Sequence, residues 1–155
     1  MANLAVRRSA VGMSRFEGVG GRLFVYGTLQ FAPVLDELIG RTPDYEVAVA
    51  RDWRAATLAG RLYPGLVPEP GRLAAGLVLA GLTPAEWRII DAFEDDEYEL
   101  RTIEVIGHPD PVPTYVWTAE VTRNDWVAET FATDHLERYA QRCARWRRET
   151  ARDAG

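Results

Sequence analysis

Six short apolar segments, separated by turns that contain proline or glycine, most constrain how this chain of 155 residues can fold. Their length and their branched or aromatic side chains are typical of β-strands. They cover residues 22–26, 46–50, 57–62, 76–80, 98–106 and 114–118. Residues 101–105 alternate polar and apolar side chains, as a strand with one solvated face does. Six such strands predict a curved sheet or a small barrel.

Helical periodicity in two other stretches predicts helices beside this sheet. In the first, Pro33 stands near the start and Gly40 at the end of a run with helically spaced apolar residues. The second runs from Trp126 toward the C-terminus and mixes aromatic residues with arginines and acids. A chain of this length suits one domain. We therefore expect one α+β domain over residues 21–150, preceded by a flexible tail over residues 1–20.

Composition and charge exclude several classes of protein. The net charge of −5 argues against nucleic acid as a partner. The longest apolar stretch, residues 74–82, is much shorter than the roughly 20 residues that cross a bilayer, so we expect no membrane anchor. No apolar run typical of a signal peptide follows the first arginines, and the single cysteine, Cys143, fits a reducing compartment. We expect a cytoplasmic protein with a small-molecule substrate.

Several kinds of catalytic chemistry lack the residues that they need. All 18 basic residues are arginines, so no lysine can form a Schiff base. Both serines lie in the N-terminal tail, and His108, His135 and Cys143 stand in unrelated segments, which argues against a serine hydrolase and a metal site. Residues 18–21 are rich in glycine but precede a strand, the wrong context for a dinucleotide-binding loop. We expect neither a metal nor another cofactor.

The start of a further helix is marked by three neighbouring residues. Thr83 is a suitable N-cap, Pro84 suits the first helical position, and Glu86 completes a capping box. Because this chemistry defines where the helix begins, the direction of later side chains follows from the helical repeat.

Glu94 is the carboxylate that this repeat sets apart. With Trp87 as the origin, Glu94 lies at about 340°, between Trp87 and Ile90 on the apolar side of the helix. The neighbouring acids are assigned to the polar side: Asp91, Asp95 and Asp96. Partial desolvation would raise the pKa of the Glu94 carboxyl toward the range useful for proton transfer. The alternative is that the helix ends by Phe93 and that Glu94 faces water.

A second candidate feature is the turn that ends the first strand. Gly27 lets the backbone bend tightly, and Thr28 adds a hydroxyl group. Consecutive N–H groups in such a bend bind anions, including carboxylates. The alternative is an ordinary strand end at which glycine only permits the turn.

Three segments occur in a characteristic order: residues 24–29 (FVYGTL), residues 61–68 (RLYPGLVP) and residues 91–101 (DAFEDDEYELR). This combination resembles the gamma-glutamylcyclotransferase-like superfamily, and within it the plant avirulence-induced-gene branch. Residues 114–117 (TYVW) and the amphipathic C-terminal helix are similar to that branch as well. The resemblance extends from about Arg22 to Arg148.

The resemblance implies a small mixed β-barrel with flanking helices and a transferase- or lyase-type cyclisation. In the family reaction, the α-amine of a γ-glutamyl group attacks its own γ-carbonyl, which yields 5-oxoproline and a free amine. The resemblance assigns catalysis to Glu94, as general acid and base. It assigns substrate binding to the loop of Tyr26, Gly27, Thr28 and Leu29.

Tyr63, Pro64 and Tyr98 are further candidates for the wall of the substrate pocket, with a place in the core as the alternative. The alternative function is a non-catalytic small-molecule binding module on the same fold. The identity of the released amine stays open. The oligomeric state is open too, with a homodimer among the options.

Overall fold

The computed structural model of the protein describes residues 20–154, in which five strands and four α-helices follow one another along the chain. The strands are β1 (Leu23–Val25), β2 (Tyr45–Ala56), β3 (Gly65–Leu79), β4 (Tyr98–Ile103) and β5 (Val112–Trp117). The helices are α1 (Ala32–Ile39), α2 (Pro84–Phe93), α3 (Ala128–Asp134) and α4 (Leu136–Ala154), and a 3₁₀ turn (Thr28–Gln30) follows β1. The tail predicted for residues 1–20 lies outside the described residues, apart from Gly20.

The five strands form one mixed sheet in the order β2-β3-β1-β5-β4. Strand β5 is parallel to β1 and, at Leu66↔Val116, to β3, while the other pairs are antiparallel. The N–H of Ile106, just after β4, donates to the Val49 carbonyl of β2 at 2.9 Å. No strand ladder joins β2 to β4 in the described part of the chain. The α+β class is confirmed, but the predicted barrel is not closed.

The strand predicted at residues 57–62 is wrong, because this segment connects β2 to β3 without joining the sheet. The N–H of Thr57 donates instead to the Asn124 carbonyl at 3.0 Å. Strand β3 continues through a Pro68–Gly71 stretch that has the residues of a turn. This is possible because Pro68 is the last residue paired before the register shifts opposite Asp52, so that Pro70 lies outside the regular ladder and need not donate to it.

The predicted start of α2 is confirmed in detail. Thr83 Oγ1 accepts a hydrogen bond from the Glu86 N–H at 3.2 Å, and the Glu86 carboxylate accepts one from the Thr83 N–H at 3.0 Å. Pro84 occupies the first turn. The helix ends at Phe93, and Glu94 has the extended φ of −70° and ψ of 145° of a C-cap residue. Glu94 therefore lies outside the helix, so the direction predicted for its side chain from the helical repeat does not apply.

Helices α1, α2 and α4 pack against β1 and so build the core beneath the candidate loop. The largest core cluster includes residues from all four elements: Leu23, Val25, Val34, Leu35, Leu38, Trp87, Ile90, Phe93, Tyr139 and Cys143. Strand β3 crosses β1 at Gly76, where an added Cβ would lie 2.2 Å from the Val25 carbonyl oxygen. This close approach permits only glycine and holds the end of β1 against β3.

Candidate active site

A pocket lies where the end of β1, the end of α2 and the segment before β3 meet. It encloses about 470 Å³, including its mouth. All eight site residues predicted from the sequence line it: Tyr26, Gly27, Thr28, Leu29, Tyr63, Pro64, Glu94 and Tyr98. The fold thus brings together three segments that are distant in sequence. The roles of these residues in binding and catalysis stay predictions.

The loop after β1 is shaped by a close contact between Gly27 and Pro64. An alanine Cβ at position 27 would lie 2.8 Å from both Cγ and Cδ of Pro64, closer than real Cβ atoms come. The loop then turns, with the Gln30 N–H donating to the Gly27 carbonyl at 3.2 Å. The N–H groups of Thr28 and Leu29 stand in the first turn of a helix, where no carbonyl of that helix can accept from them. Glycine is required here by the neighbouring proline ring.

Glu94 lines this pocket together with tyrosines whose pKa values its carboxylate helps to raise. Burial first, and then the Glu94 carboxylate, raises the pKa of Tyr26 well above its usual value. The pKa of Tyr98 is likewise raised by burial, by Tyr26 and by Glu94. Burial dominates the raised pKa of Tyr139, to which Glu94 also contributes. These tyrosines stay neutral near physiological pH, so they can donate hydrogen bonds but cannot act as bases.

Hydrogen bonds hold three of the pocket tyrosines in place. The Tyr26 hydroxyl donates to the Tyr115 carbonyl at 2.5 Å, and the Tyr98 hydroxyl donates to the Pro64 carbonyl at 2.5 Å. The Tyr63 hydroxyl donates to Asp95 Oδ2 at 2.6 Å. Both ends of these bonds belong to pocket-lining residues. Short hydrogen bonds therefore connect the residues that line the pocket to one another.

The raised pKa values predict how the tyrosines titrate. At a pH of about 10, where an ordinary tyrosine is half ionised, we expect four tyrosines to stay protonated in the folded protein. They are Tyr26, Tyr63, Tyr98 and Tyr139. Ultraviolet absorbance of tyrosinate measures this, with the urea-unfolded chain as the control. Equal absorbance changes for the folded and unfolded chains at that pH would contradict the prediction.

Two acids beside Glu94 were assigned wrongly from the sequence. Asp91 has no exposed surface and accepts a hydrogen bond from the Tyr115 hydroxyl at 2.9 Å. It stands four residues after the buried Trp87, a spacing that places both on one face of the helix and could have revealed it. Asp95 follows the end of the helix and lines the pocket, with its side chain 13% exposed. Only Asp96 is exposed as predicted.

Two of the pocket residues that were not predicted carry hydroxyl groups: Tyr115 and Tyr139. Tyr115 stands in β5, whose residues are all buried, so no alternation marks which face it serves. Tyr139 stands in α4, and the Thr28 hydroxyl donates to its hydroxyl oxygen at 3.5 Å. Its apolar position in the C-terminal helix predicts burial but not a pocket.

Two other features are absent from the described part of the chain. Between residues 20 and 154, no three His, Cys, Asp or Glu side chains are grouped closely enough to hold a metal ion. None of the helices in that part of the chain is long and apolar enough to cross a membrane.

Comparison with known proteins shows which family the chain belongs to. The family model for gamma-glutamyl cyclotransferase, AIG2-like, matches residues 23–140. AIG2-like protein C of Arabidopsis thaliana is 40% identical over 99 residues, which are 61% of this chain but only 58% of that protein. AIG2-like protein D of the same plant is 31% identical over 123 residues, covering 74% of this chain and 81% of that protein.

Solved structures share the fold. A solution structure from Arabidopsis thaliana has 30% sequence identity and a TM-score of 0.61, over 78% of this chain and 86% of that one. A gamma-glutamyl cyclotransferase structure has 16% identity and a TM-score of 0.53, over 63% of this chain and 66% of that one, and so shows the fold only. The resemblance seen in the sequence is confirmed: this chain belongs to the AIG2-like gamma-glutamyl cyclotransferase family.

Proposed function

We propose that this pocket cyclises a γ-glutamyl amide to 5-oxoproline and releases an amine, with Glu94 as general acid and base. The observation that best supports this is a single pocket lined by both Glu94 and the loop of residues 26–29. Membership of the family supports the same reaction class. The nucleophile belongs to the substrate, so the protein needs no activated serine, cysteine or lysine.

The reaction requires two proton transfers. Glu94 removes a proton from the substrate ammonium, and the resulting amine attacks the γ-carbonyl to close a five-membered lactam. The C–N bond to the leaving group then breaks as Glu94 returns the proton to the departing nitrogen, and a second proton of the former ammonium passes to the released amine, so that the lactam keeps one N–H. One carboxylate performs both transfers, and neither a cofactor nor a covalent enzyme intermediate is needed.

Glu94 is the better candidate of the two carboxylates that line the pocket. Asp95 accepts a hydrogen bond from Tyr63 at 2.6 Å and lies 3.6 Å from the Arg61 guanidinium. These contacts fix the Asp95 carboxylate in the pocket wall, and the resemblance to the family assigns catalysis to the neighbouring Glu94. The raised pKa values of Tyr26 and Tyr98 remove these tyrosines as bases. We therefore assign the proton transfers to Glu94.

The remaining requirement is to hold the substrate in a folded conformation. We assign the α-carboxylate or the developing oxyanion to the backbone N–H groups of Gly27, Thr28 and Leu29, since donors fixed in advance stabilise such charge. Alignment of an amine with a carbonyl in the same molecule can lower a barrier by roughly 7 to 11 kcal/mol. The protonated tyrosines in the pocket wall serve this alignment.

The test is to incubate the protein with γ-glutamyl amino acids, γ-glutamyl-ε-lysine and γ-glutamyl amines. We expect 5-oxoproline, detected by mass spectrometry, in at least one mixture and in none of the protein-free controls. Absence from every mixture would reject the proposal. Binding of the same compounds without turnover would then favour the non-catalytic binding module.

A further inference from the structure

Asp91 is a buried carboxylate for which the proposed reaction has no use. It lies in the last turn of α2, three residues before Glu94, and has no exposed surface. It does not line the pocket, so it cannot contact the substrate there. A carboxylate in such a place is costly unless hydrogen bonds or charges compensate for the lost water. A hydrogen-bond partner of Asp91 in β5 shows what the position achieves.

That partner, Tyr115, is bonded to both elements that carry the proposed site. Its hydroxyl donates to Asp91 Oδ1 at 2.9 Å, which connects it to the helix that ends at Glu94. Its backbone carbonyl accepts from the Tyr26 hydroxyl at 2.5 Å, which connects it to the loop of residues 26–29. One residue of β5 thus spans the distance between the helix end and the loop.

Tyr115 stands in a strand inside the sheet, whereas Glu94 stands just beyond a helix end. Every residue of β5 is buried, and the strand pairs along its full length with β4. The Tyr115 ring also packs edge-on against Tyr98, with 6.1 Å between ring centroids. Helix ends fray, and Glu94 already has an extended conformation beyond the last helical residue. A hydrogen bond from the sheet to the last turn counteracts this freedom.

We propose that Asp91 is a positioning residue: through Tyr115 it anchors the end of α2 to β5 and so sets the place of the Glu94 carboxylate relative to the loop. This inference rests on the proposed function, because it explains the placement of the proposed base. Asp91 acts at a distance from the substrate and takes no part in proton transfer.

The test follows the Glu94 carboxylate directly. In protein labelled with ¹³C at the glutamate carboxylates, the Glu94 NMR signal is identified by its loss in Glu94→Gln. We expect Asp91→Ala and Tyr115→Phe each to move this signal toward those of exposed glutamates. The double variant should move it no further than Asp91→Ala does, because both changes remove the same Tyr115–Asp91 hydrogen bond. Asp91→Asn keeps an oxygen acceptor and should restore most of the wild-type signal.

The matched control changes the other end of the same helix. Glu86→Ala removes the capping box and the contact of Glu86 with Arg41 at 2.6 Å, so it lowers stability at a comparable site. We expect the Glu94 signal to stay in place. A shift as large as in Asp91→Ala would overturn the proposal, since general loosening of α2 would then explain both. An unmoved Glu94 signal in Tyr115→Phe would also overturn the proposal. Tyr115→Phe keeps the aromatic ring in the core, so it still tests the proposal if Asp91→Ala fails to fold.

Kinetics separate this inference from the proposed function. If the wild-type protein forms 5-oxoproline, Asp91→Ala and Tyr115→Phe should lower kcat by roughly 100-fold, the effect of a small misplacement, with KM nearly unchanged. A raised KM with unchanged kcat would contradict positioning. If the wild-type protein forms no 5-oxoproline, the proposed function fails, and the Glu94 signal still decides whether Asp91 positions that carboxylate.

Discussion

Replacing Glu94 with glutamine is expected to abolish nearly all formation of 5-oxoproline while the protein stays folded. A positioned acid and base contributes roughly 10² to 10⁴ to a rate, and an amide cannot supply it. The fold should tolerate the change because the shape is kept and the Glu94 N–H still donates to the Ile90 carbonyl. Mass spectrometry of the product gives kcat, and circular dichroism against temperature gives the stability.

A matched control for this substitution lies five residues further along the chain. Glu99→Gln makes the same chemical change at an exposed side chain that pairs with Arg101 and does not line the pocket. Its kcat should equal that of the wild-type protein. Retention of wild-type kcat by Glu94→Gln would disprove the assignment of Glu94 as the base, even if the protein is an active cyclotransferase.

Gly27→Ala is expected to have the second largest effect, because it acts on the other half of the pocket. The new Cβ would lie 2.8 Å from the Pro64 ring, so either the loop or the proline must move. A proline ring has little freedom to yield, and the Pro64 carbonyl is held by the Tyr98 hydroxyl. We expect kcat/KM to fall on the order of 100-fold through misplaced donors. We also expect a loss of about 1 to 3 kcal/mol in the free energy of unfolding through overpacking.

Gly20→Ala separates this clash from the general effect of replacing a glycine. Nothing lies within 4 Å of an added Cβ at Gly20, so its kcat/KM should match that of the wild-type protein. Both variants are compared by product formation and by urea unfolding. Wild-type kcat/KM in Gly27→Ala would show that the loop geometry is unimportant for catalysis, and would contradict the role given to its N–H groups.

Features that depend on a few neighbouring residues were predictable. The capping box of Thr83 and Glu86 forms as expected, since its donors and acceptors are three residues apart. The predicted stop at Gly40 is confirmed by its left-handed φ of 77°. The candidate site was found largely because three segments resemble a family, and the pocket contains the residues from all of them.

Features that depend on distant partners were not predictable from local pattern. The spacing from Trp87 could have revealed that Asp91 is buried, but no helical projection anticipates that its donor is a tyrosine from β5. Strand β3 passes through Pro68 and Pro70 because its pairing with β2 shifts register there. The closure expected of a barrel depends on whether the two outer strands meet, and a count of strands does not contain that information.

Glu94 illustrates the difference between what the sequence determines and what the tertiary structure decides. The amino-acid sequence by itself determined where α2 begins and that a glycine ends the first strand, and it singled out Glu94 as the candidate carboxylate. Only the tertiary structure decided that Glu94 lies outside the helix, in one pocket with Gly27 and Tyr98. The physical reason is range: caps and turns form between neighbours in the chain, whereas a pocket depends on how the sheet and the helix end pack together.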